Sequence, residues 1–283
     1  MVLRRRNDGH AAAVRQRAGL ERDCPRGIGG REPCHLALDH AGRRLAVAHY
    51  GSGTTASFRL DANGVPSEAP ALYQHHGHGP VADRQDGAHA HWVGFDAHGR
   101  LYVTDLGTDQ ILLFEDGDKS LSVPRIAYVA PPGSGPRQIA FHPSLPIAYL
   151  VSELAVSLTV LDVAEDGTLS ERCVTSTLPP GVERGETLGG AILLHADRVH
   201  VSNRGHDSIA TFAIDDAGDV RLLAVHDSGG RSPRFLLIDD GRLLVAHEEA
   251  GGVTMLPLDR DGVPCAVDGR VDVPGPAFLG VLP

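Results

Sequence analysis

The sequence predicts an all-β fold of the β-propeller class, built from four-stranded blades. Three observations lead to this prediction. One pattern of apolar segments and turns recurs five times along the chain. The apolar segments are short, rich in β-branched residues and bounded by Gly, Asp or Asn, as strands are. No helical stripe of apolar residues at positions i, i+3 and i+4 extends beyond about two turns.

Each copy of the repeat reads as an apolar strand, a polar turn, a second apolar strand, a small turn and a third strand that ends in an acidic-Gly turn. The first two copies begin at Pro33 (PCHLALDHAGRRLAVAHYGSG) and Ala88 (AHAHWVGFDAHGRLYVTDLGTD), and both contain D-x-x-G-R after the first strand. Later copies begin near Gly135, Gly190 and Ser232. Intervals of roughly 45 to 55 residues are typical of a propeller blade with four strands.

Further apolar segments between the copies, such as RIAYVA and VRLLAVH, supply the outer strand of each blade. Five copies are recognisable, followed by the strand-like stretch VDVPGPAFLGVLP. By repeats alone, five blades could close a ring.

The chain before the repeats has a different composition. Residues 1–31 contain eight arginines and neither a strand pattern nor a copy of the repeat. We expect an irregular basic segment there, disordered or wrongly assigned to the protein, and a propeller domain over residues 32–283. A nucleic-acid-binding arm is the alternative interpretation.

Bulk properties narrow the function classes. The net charge of −10 argues against nonspecific nucleic-acid binding by the whole chain. No window approaches about 18 consecutive apolar residues, so no membrane span is predicted. The four cysteines are far apart and lack the spacing of zinc ligands, which indicates reduced thiols in a cytoplasmic protein.

Candidate functional residues are polar side chains that interrupt the apolar repeat, because first strands and loops of propeller blades converge on a central funnel. His91 heads one first strand, where an imidazole can transfer protons near neutral pH. Arg137 follows a Gly-Pro turn into another, and its guanidinium can bind a carboxylate or phosphate through two nitrogens. Both also have structural interpretations: a hydrogen-bonded strand histidine, and a cap that recurs at Arg234.

Glu153 and Arg204 follow the second strands of neighbouring copies. The pattern places Asp105 and His49 at the same point of their own copies. A carboxylate at this point must be paired, solvated or catalytic, because burying it alone is costly. An ion pair between Glu153 and Arg204 that supports the funnel wall fits the pattern as well as catalysis does.

Five histidines lie between His75 and His91. Strand alternation places His89 and His91 on one face. No acidic or cysteine partner completes a metal site at a recognisable spacing, so we predict no metal centre. The common nucleophile and nucleotide motifs, GxSxG, the P-loop and a GxGxxG that opens a helix, are not found.

From about Pro33 to the C-terminus, the sequence resembles the lactonases with a seven-bladed β-propeller. The resemblance rests on PCHLALD, AHYGSGT, HAHWVGFD, DLGTDQI, GSGPRQIAFHP, SELAVSLTVLD and, most specifically, VSNRGHDSIATF followed by GGRSPRFLLID. It implies a seven-bladed type whose first two blades and closing strand have no counterpart before Pro33.

This family includes bacterial enzymes of the pentose phosphate pathway that hydrolyse 6-phosphogluconolactone to 6-phosphogluconate, and fungal relatives that cyclise carboxymuconate to a lactone. Its members place a His, two Arg and a Glu in the funnel. The matching motifs carry these roles to His91, Arg137, Arg204 and Glu153, and His89 shares the HAH motif as a candidate for substrate binding.

The resemblance implies hydrolysis of a phosphorylated sugar lactone by water, with no metal or organic cofactor. Glu153 or His91 would activate the water, and the pattern does not choose between them. Arg137 and Arg204 would supply positive charge to the oxyanion and the phosphate. The alternatives are another lactone, a cycloisomerase reaction, or a non-catalytic propeller that binds a protein partner. The sequence leaves the oligomeric state open.

Overall fold

The structure of the protein is a computed structural model that describes residues 2–5, 11–14, 29–115 and 121–281. All regular elements in these residues are β-strands, in agreement with the predicted class. No helix in the described part of the chain is long and apolar enough to span a membrane.

The described strands are numbered in chain order, and the four-stranded sheets are called blades. The N-terminal strands are β1 (Val2–Arg5) and β2 (Ala11–Val14). Blade 1 consists of β3 (Pro33–Leu38), β4 (Arg44–His49), β5 (Thr54–Arg59) and β6 (Ala71–Gln74). Blade 2 consists of β7 (Ala90–Phe95), β8 (Leu101–Asp105), β9 (Gln110–Phe114) and β10 (Arg125–Val129). Blade 3 consists of β11 (Pro136–Phe141), β12 (Ile147–Ser152), β13 (Ser157–Val163) and β14 (Leu169–Ser176).

The remaining strands complete two more blades and a C-terminal pairing. Blade 4 consists of β15 (Leu188–His195), β16 (Arg198–Arg204), β17 (Ser208–Ile214) and β18 (Val220–Asp227). Blade 5 consists of β19 (Arg231–Asp239), β20 (Arg242–Ala250), β21 (Val253–Pro257) and β22 (Gly269–Val271). The last strand is β23 (Gly280–Val281). In every blade the strands lie in chain order, as expected for one supersecondary unit repeated along the chain.

The N-terminal strands differ in part from the sequence-based expectation. Residues 1–31 were expected to lack strands, but β1 pairs antiparallel with β2 and parallel with β23, in a sheet of order β2-β1-β23. The segment of β1 is VLRR, which includes two of the arginines, and that of β2 is the apolar stretch AAAV. Residues 6–10 and 15–28 lie outside the described residues. The domain boundary at residue 31 therefore stays a prediction.

The D-x-x-G turn that follows the first strand in the first two copies is a tight turn in which the Asp side chain bonds backbone amides. In blade 2, the Asp96 carboxylate accepts hydrogen bonds from the amides of His98 and Arg100, both at 2.9 Å. Gly99 has φ of 79°, a conformation that costs glycine little, and its amide donates to the Asp96 carbonyl at 3.0 Å. Blade 1 repeats the arrangement at Asp39 and Gly42. The predicted turn is confirmed.

By contacts, the described chain divides into two compact units. The blade 1–3 unit comprises Cys24–Ala155 and Thr159–Val174, and the blade 4–5 unit comprises Met1–Asp23, Val156–Leu158 and Thr175–Pro283. Each has its own core of interleaved side chains between successive blades. In the first, Tyr102, Ile111 and Leu150 are fully buried; in the second, Ile209 and Leu243 are. Strands packed on both faces bury consecutive side chains, which explains uninterrupted apolar runs such as LYV in β8.

In every blade, the residue directly before the third strand is left-handed. These residues are Gly53, Asp109, Val156, Asp207 and Gly252, with φ between 52° and 63°. Glycine and aspartate tolerate this conformation, whereas a β-branched valine adopts it at a cost. The valine stands in the blade 3 turn, three residues after Glu153.

Candidate active site

β-bulges set the direction of the first-strand side chains. The register of β7 with β8 shifts between Ala90 and Trp92, which makes His91 the extra residue. The register of β11 with β12 shifts between Pro136 and Gln138, which does the same for Arg137. Bulges re-aim one side chain and are common beside active sites. The equivalence of these two positions, predicted from the repeat, is therefore present in the backbone.

Glu153 is held beside the bulge of blade 3. It is the first residue after β12, and its amide donates to the Gly135 carbonyl at 2.7 Å. Arg137 Nε donates to Glu153 Oε2 at 2.9 Å, and the two side chains are each 3% exposed. His91 Nε2 lies 3.8 Å from the same oxygen, with its side chain 7% exposed. The structure thus brings three of the predicted site residues together within the blade 1–3 unit.

A second guanidinium, which the sequence analysis missed, completes the cluster. Arg84 Nη2 donates a hydrogen bond to Glu153 Oε1, and the Tyr50 hydroxyl is a further partner of Arg84. Burial by itself would lower the pKa of Arg84, but the hydrogen bonds and charges of Glu153 and Tyr50 raise it above the ordinary arginine value. Glu153 therefore receives one guanidinium at each carboxylate oxygen.

The neighbouring Gln85 anchors the loop that carries Arg84. Gln85 is fully buried, and its side-chain amide donates to the Leu106 carbonyl and to Asp109 Oδ1, both at 2.8 Å. Its carbonyl oxygen accepts the Val81 amide at 3.1 Å. Because both the nitrogen and the oxygen of the Gln85 side-chain amide are hydrogen-bonded, the backbone next to Arg84 is held in place.

Tyr50 connects the two predicted histidines. Its ring stacks on His89 at 4.4 Å and meets the ring of His91 edge-on at 5.7 Å. Both imidazole rings thus contact the same tyrosine. His89 Nδ1 lies 2.9 Å from the Tyr50 carbonyl, and His89 Nε2 lies 3.1 Å from Asp86 Oδ1. The role of His89 in substrate binding stays a prediction.

The alignment of Asp105 and His49 with Glu153 is wrong by one residue. In the pairing of first and second strands, Asp105 pairs with Ala90 and His49 pairs with Pro33. The corresponding pair in blade 3 is Ser152 with Pro136. Asp105 and His49 are therefore equivalent to Ser152, the residue before Glu153. Successive strand residues face opposite sides, and a shift of one residue reverses the direction of the side chain.

The true equivalents of Glu153 in blades 1, 2 and 4 are the next residues along the chain. Counting back three residues from the left-handed position gives Tyr50, Leu106 and Arg204. Tyr50 was therefore detectable from the repeat, as the residue aligned with Glu153 in blade 1.

Arg204 lies in the blade 4–5 unit and is described there by itself. It is the last residue of β16, half-buried, and its Nη2 donates to the Gly189 carbonyl at 3.1 Å. Its predicted role in substrate binding stays a prediction.

The charge of Arg137 also affects His35 on β3. Burial and then the positive charge of Arg137 lower the pKa of His35 to about 4, so the imidazole is neutral at pH 7. Its ring lies 5.6 Å from Trp92. We therefore assign His35 no proton-transfer role near neutral pH.

His75, the first histidine of the cluster, has defined partners. His75 is buried, with Nδ1 at 2.8 Å from Asp105 Oδ2 and Nε2 at 2.8 Å from the Thr55 hydroxyl. In the residues that the structure describes, no group of three or more His, Cys, Asp and Glu side chains is arranged as metal ligands.

The cluster contains the groups that acyl transfer to water requires. A carboxylate and an imidazole near one another can take up and return a proton. Guanidinium groups can stabilise an oxyanion in a sheltered site, where electrostatic interactions are strong. Arg84 had one sequence signal, since it is the only Lys or Arg between Arg59 and Arg100 and stands five residues before the start of the HAH motif at His89.

Comparison with known proteins connects this geometry to a reaction. The sequence matches the family described as "Lactonase, 7-bladed beta-propeller" over residues 5–280. The match begins well before Pro33, where the recognisable motifs start. A 6-phosphogluconolactonase from Bacillus subtilis (strain 168) is 31% identical over 263 residues, which cover 90% of this chain and 74% of the relative.

Solved structures show the same fold. A periplasmic gluconolactonase from Pseudomonas aeruginosa superposes with a TM-score of 0.77 at 27% identity, covering 87% of this chain and 72% of the other. A protein from Lactobacillus plantarum superposes with a TM-score of 0.79 at 26% identity, covering 86% and 72% of the two chains.

Proposed function

Because the chain belongs to the lactonases of the seven-bladed β-propeller family, which are carboxylic-ester hydrolases that open lactones, we propose that its substrate is 6-phosphogluconolactone and its product 6-phosphogluconate. The observation that carries the proposal is the buried carboxylate of Glu153, bonded to Arg137 at 2.9 Å and 3.8 Å from His91. The 6-phosphogluconolactonase of Bacillus subtilis supports the choice of substrate.

The proposed reaction is attack of water on the lactone carbonyl. Glu153 or His91 takes a proton from the water as its oxygen bonds to the carbonyl carbon. The resulting oxyanion is stabilised by the positive charge of Arg137. The bond between the carbonyl carbon and the ring oxygen then breaks, and the protonated base returns its proton to the departing oxygen. The product is a free carboxylic acid, which ionises at neutral pH.

Unphosphorylated gluconolactone is the second candidate substrate. It is favoured by the structural similarity to the gluconolactonase of Pseudomonas aeruginosa, a periplasmic protein. The two substrates imply different locations, because a sugar phosphate is charged and does not cross membranes freely. With 6-phosphogluconolactone as substrate, we propose a cytoplasmic enzyme.

An assay of the purified protein on both lactones tests the proposal. Acid release is followed with a pH indicator and corrected for spontaneous opening of each lactone. We expect a higher kcat/KM for the phosphorylated lactone. A preference for the neutral lactone would replace the first candidate by the second, and no turnover of either lactone above the spontaneous rate would overturn both.

A further inference from the structure

Glu153 is bonded by two guanidinium groups, and the proposed hydrolysis uses only one of them. Arg137 bonds Oε2 from the bulge of β11, and Arg84 bonds Oε1 from the loop that precedes β7. The two cations and one anion sum to a single positive charge when His91 is neutral. One positive charge that the hydrolysis does not use therefore lies beside the proposed site of a phosphorylated substrate.

The two arginines differ in their access to solvent. The side chain of Arg137 is 3% exposed, whereas that of Arg84 is 32% exposed. The carboxylate between them is 3% exposed. Arg84 is therefore the member of the cluster that an arriving ligand meets first.

Arg84 can leave Glu153 without any change in the backbone. Gln85 fixes the loop through its bonds to Leu106 and Asp109, so only the torsions of the arginine side chain have to change. Such rotations are fast compared with turnover when the side chain is partly exposed. A guanidinium that leaves a carboxylate needs another anion, and a phosphate offers the geometry for bidentate bonding.

The bond from Arg84 also occupies the oxygen that water would have to approach. While Oε1 accepts a charge-assisted hydrogen bond, it has less capacity to accept a proton from water. Removing Arg84 would open this oxygen on the solvent side of the cluster.

We propose that Arg84 is an exchangeable cation that determines substrate specificity: it binds the anionic group of the lactone and thereby uncovers Oε1 of Glu153 for the attacking water. This inference rests on the proposed function and deepens it. A lactone with a phosphate draws Arg84 away from the carboxylate, and a neutral lactone leaves it in place. Preference for the charged substrate thus comes from both binding and activation.

The test measures kcat/KM for 6-phosphogluconolactone and for unphosphorylated gluconolactone in the wild type, Arg84→Ala and Arg84→Lys. We expect Arg84→Ala to lower the ratio of the two values by roughly 10- to 100-fold, the loss of one charged hydrogen bond. Arg84→Lys keeps the charge but not the fork of donors and should recover part of the ratio.

Arg125→Ala is the matched control. Arg125 also pairs with a glutamate, Glu115, at 3.0 Å, but its side chain is 43% exposed and lies on β10. Its replacement should leave the ratio of the two kcat/KM values at the wild-type level. A thermal melt of each variant checks that it is folded.

A ratio that stays within about twofold of the wild type in Arg84→Ala, with both kcat/KM values lowered together, would overturn the proposal and leave Arg84 a merely structural residue. A second readout does not depend on turnover. Calorimetric binding of inorganic phosphate should weaken in Arg84→Ala, and equal affinity in wild type and variant would also overturn the proposal. Lack of lactonase activity in the wild type would contradict the proposed function, while the phosphate measurement would still decide the role of Arg84.

Discussion

The turns after the second strands of blades 2 and 3 have the same backbone and use their carboxylates in opposite ways. Both turns contain a left-handed residue, Asp109 in one and Val156 in the other, with φ of 57° and 52°. In blade 2 the carboxylates bond mainly backbone amides, together with the buried side chains of Gln85 and His75. In blade 3 the carboxylate of Glu153 bonds side chains.

The blade 2 turn shows what a structural carboxylate looks like. Asp105 Oδ1 accepts the amides of His89, Gly107 and Thr108, at distances from 2.9 to 3.1 Å. Asp109 accepts the amides of Gly133 and Gly135 at 2.7 and 2.8 Å, which fixes the chain that enters β11. Backbone amides cannot rotate away from a carboxylate as a side chain can, so the charges of Asp105 and Asp109 stabilise the fold.

The blade 3 turn shows the opposite arrangement. Glu153 receives guanidinium groups from Arg84 and Arg137, which are side chains with alternative positions and alternative anions to bind. Burial alone therefore does not distinguish a structural carboxylate from a reactive one. The two kinds differ in their hydrogen-bond donors, which are mainly backbone amides in blade 2 and side-chain guanidinium groups in blade 3.

The largest expected effect is on activity, at Glu153. Glu153→Gln keeps the shape of the side chain but removes its charge and its ability to take a proton. We expect kcat to fall by about 10³-fold, which corresponds to roughly 4 kcal/mol in the barrier. The measurement is lactone hydrolysis at a temperature at which circular dichroism shows the variant to be folded.

Glu115→Gln is the control for this change, because Glu115 pairs with Arg125 on the surface and is 64% exposed. It should retain wild-type turnover. If Glu153→Gln also retained it, the carboxylate of blade 3 would be as structural as those of blade 2.

The next effect is on stability, at Asp109. Asp109→Ala leaves the amides of Gly133 and Gly135 without their acceptor and removes one of the two acceptors of the Gln85 side-chain amide. Buried donors that lose a partner cost about 1–3 kcal/mol each, so we expect the free energy of unfolding to fall by roughly 3–4 kcal/mol. Urea denaturation measures it.

Asp61→Ala provides the comparison for Asp109, because Asp61 also accepts two backbone amides, from Asn63 and Val65, but in an exposed turn. Its replacement should cost less than about 1 kcal/mol. Equal losses of unfolding free energy in the two variants would contradict the prediction, because burial would then not increase the contribution of Asp109.

The third effect is on the pH dependence of stability, at the buried imidazole of His200. Burial, and then the charges of His195 and Arg198, lower the pKa of His200 to about 4. Between pH 6.5 and pH 4 the unfolded chain binds a proton here that the folded chain does not. The free energy of unfolding should therefore decrease as the pH falls through this range, by up to roughly 3 kcal/mol from this residue.

Urea unfolding of the wild type and of His200→Gln at pH 7 and pH 4 measures this contribution. The loss of stability between the two pH values should be smaller in the variant. His98→Gln, a change at an exposed histidine, should leave the loss as in the wild type. An unchanged loss in His200→Gln would show that His200 is protonated in the fold.

The smallest effect concerns how closely the blade 2 turn packs against the loop that precedes β7. A Cβ on Gly107 would lie 1.9 Å from the carbonyl oxygen of Gly87, whereas blade 3 has Leu154 at the equivalent position. We expect Gly107→Ala to cost about 2 kcal/mol in thermal unfolding because backbone has to move. Gly87→Ala, whose Cβ would meet open space, should change stability by less than about 0.5 kcal/mol and serves as the control.

The sequence was sufficient for the blades, their strands and the bulged residues His91 and Arg137, because turn residues and apolar alternation recur in each copy. It could not give the exact end of a second strand, which is why Asp105 and His49 were aligned with Glu153. Arg84 escaped detection because it belongs to a connecting loop with no counterpart in the repeat. Its position depends on Gln85, whose bonds to Leu106 and Asp109 join residues far apart in sequence.

The anchoring of that loop has a consequence for the size of substrate. Since Gln85 fixes the backbone, the guanidinium of Arg84 can reach only positions set by the length of its own side chain. The anionic group of the substrate must lie at such a position while the lactone carbonyl lies at Glu153. The loop therefore selects the distance between the phosphate and the lactone carbonyl. Lengthening or shortening the sugar by one carbon should move the phosphate out of reach of Arg84, even though the chemistry of ring opening is unchanged.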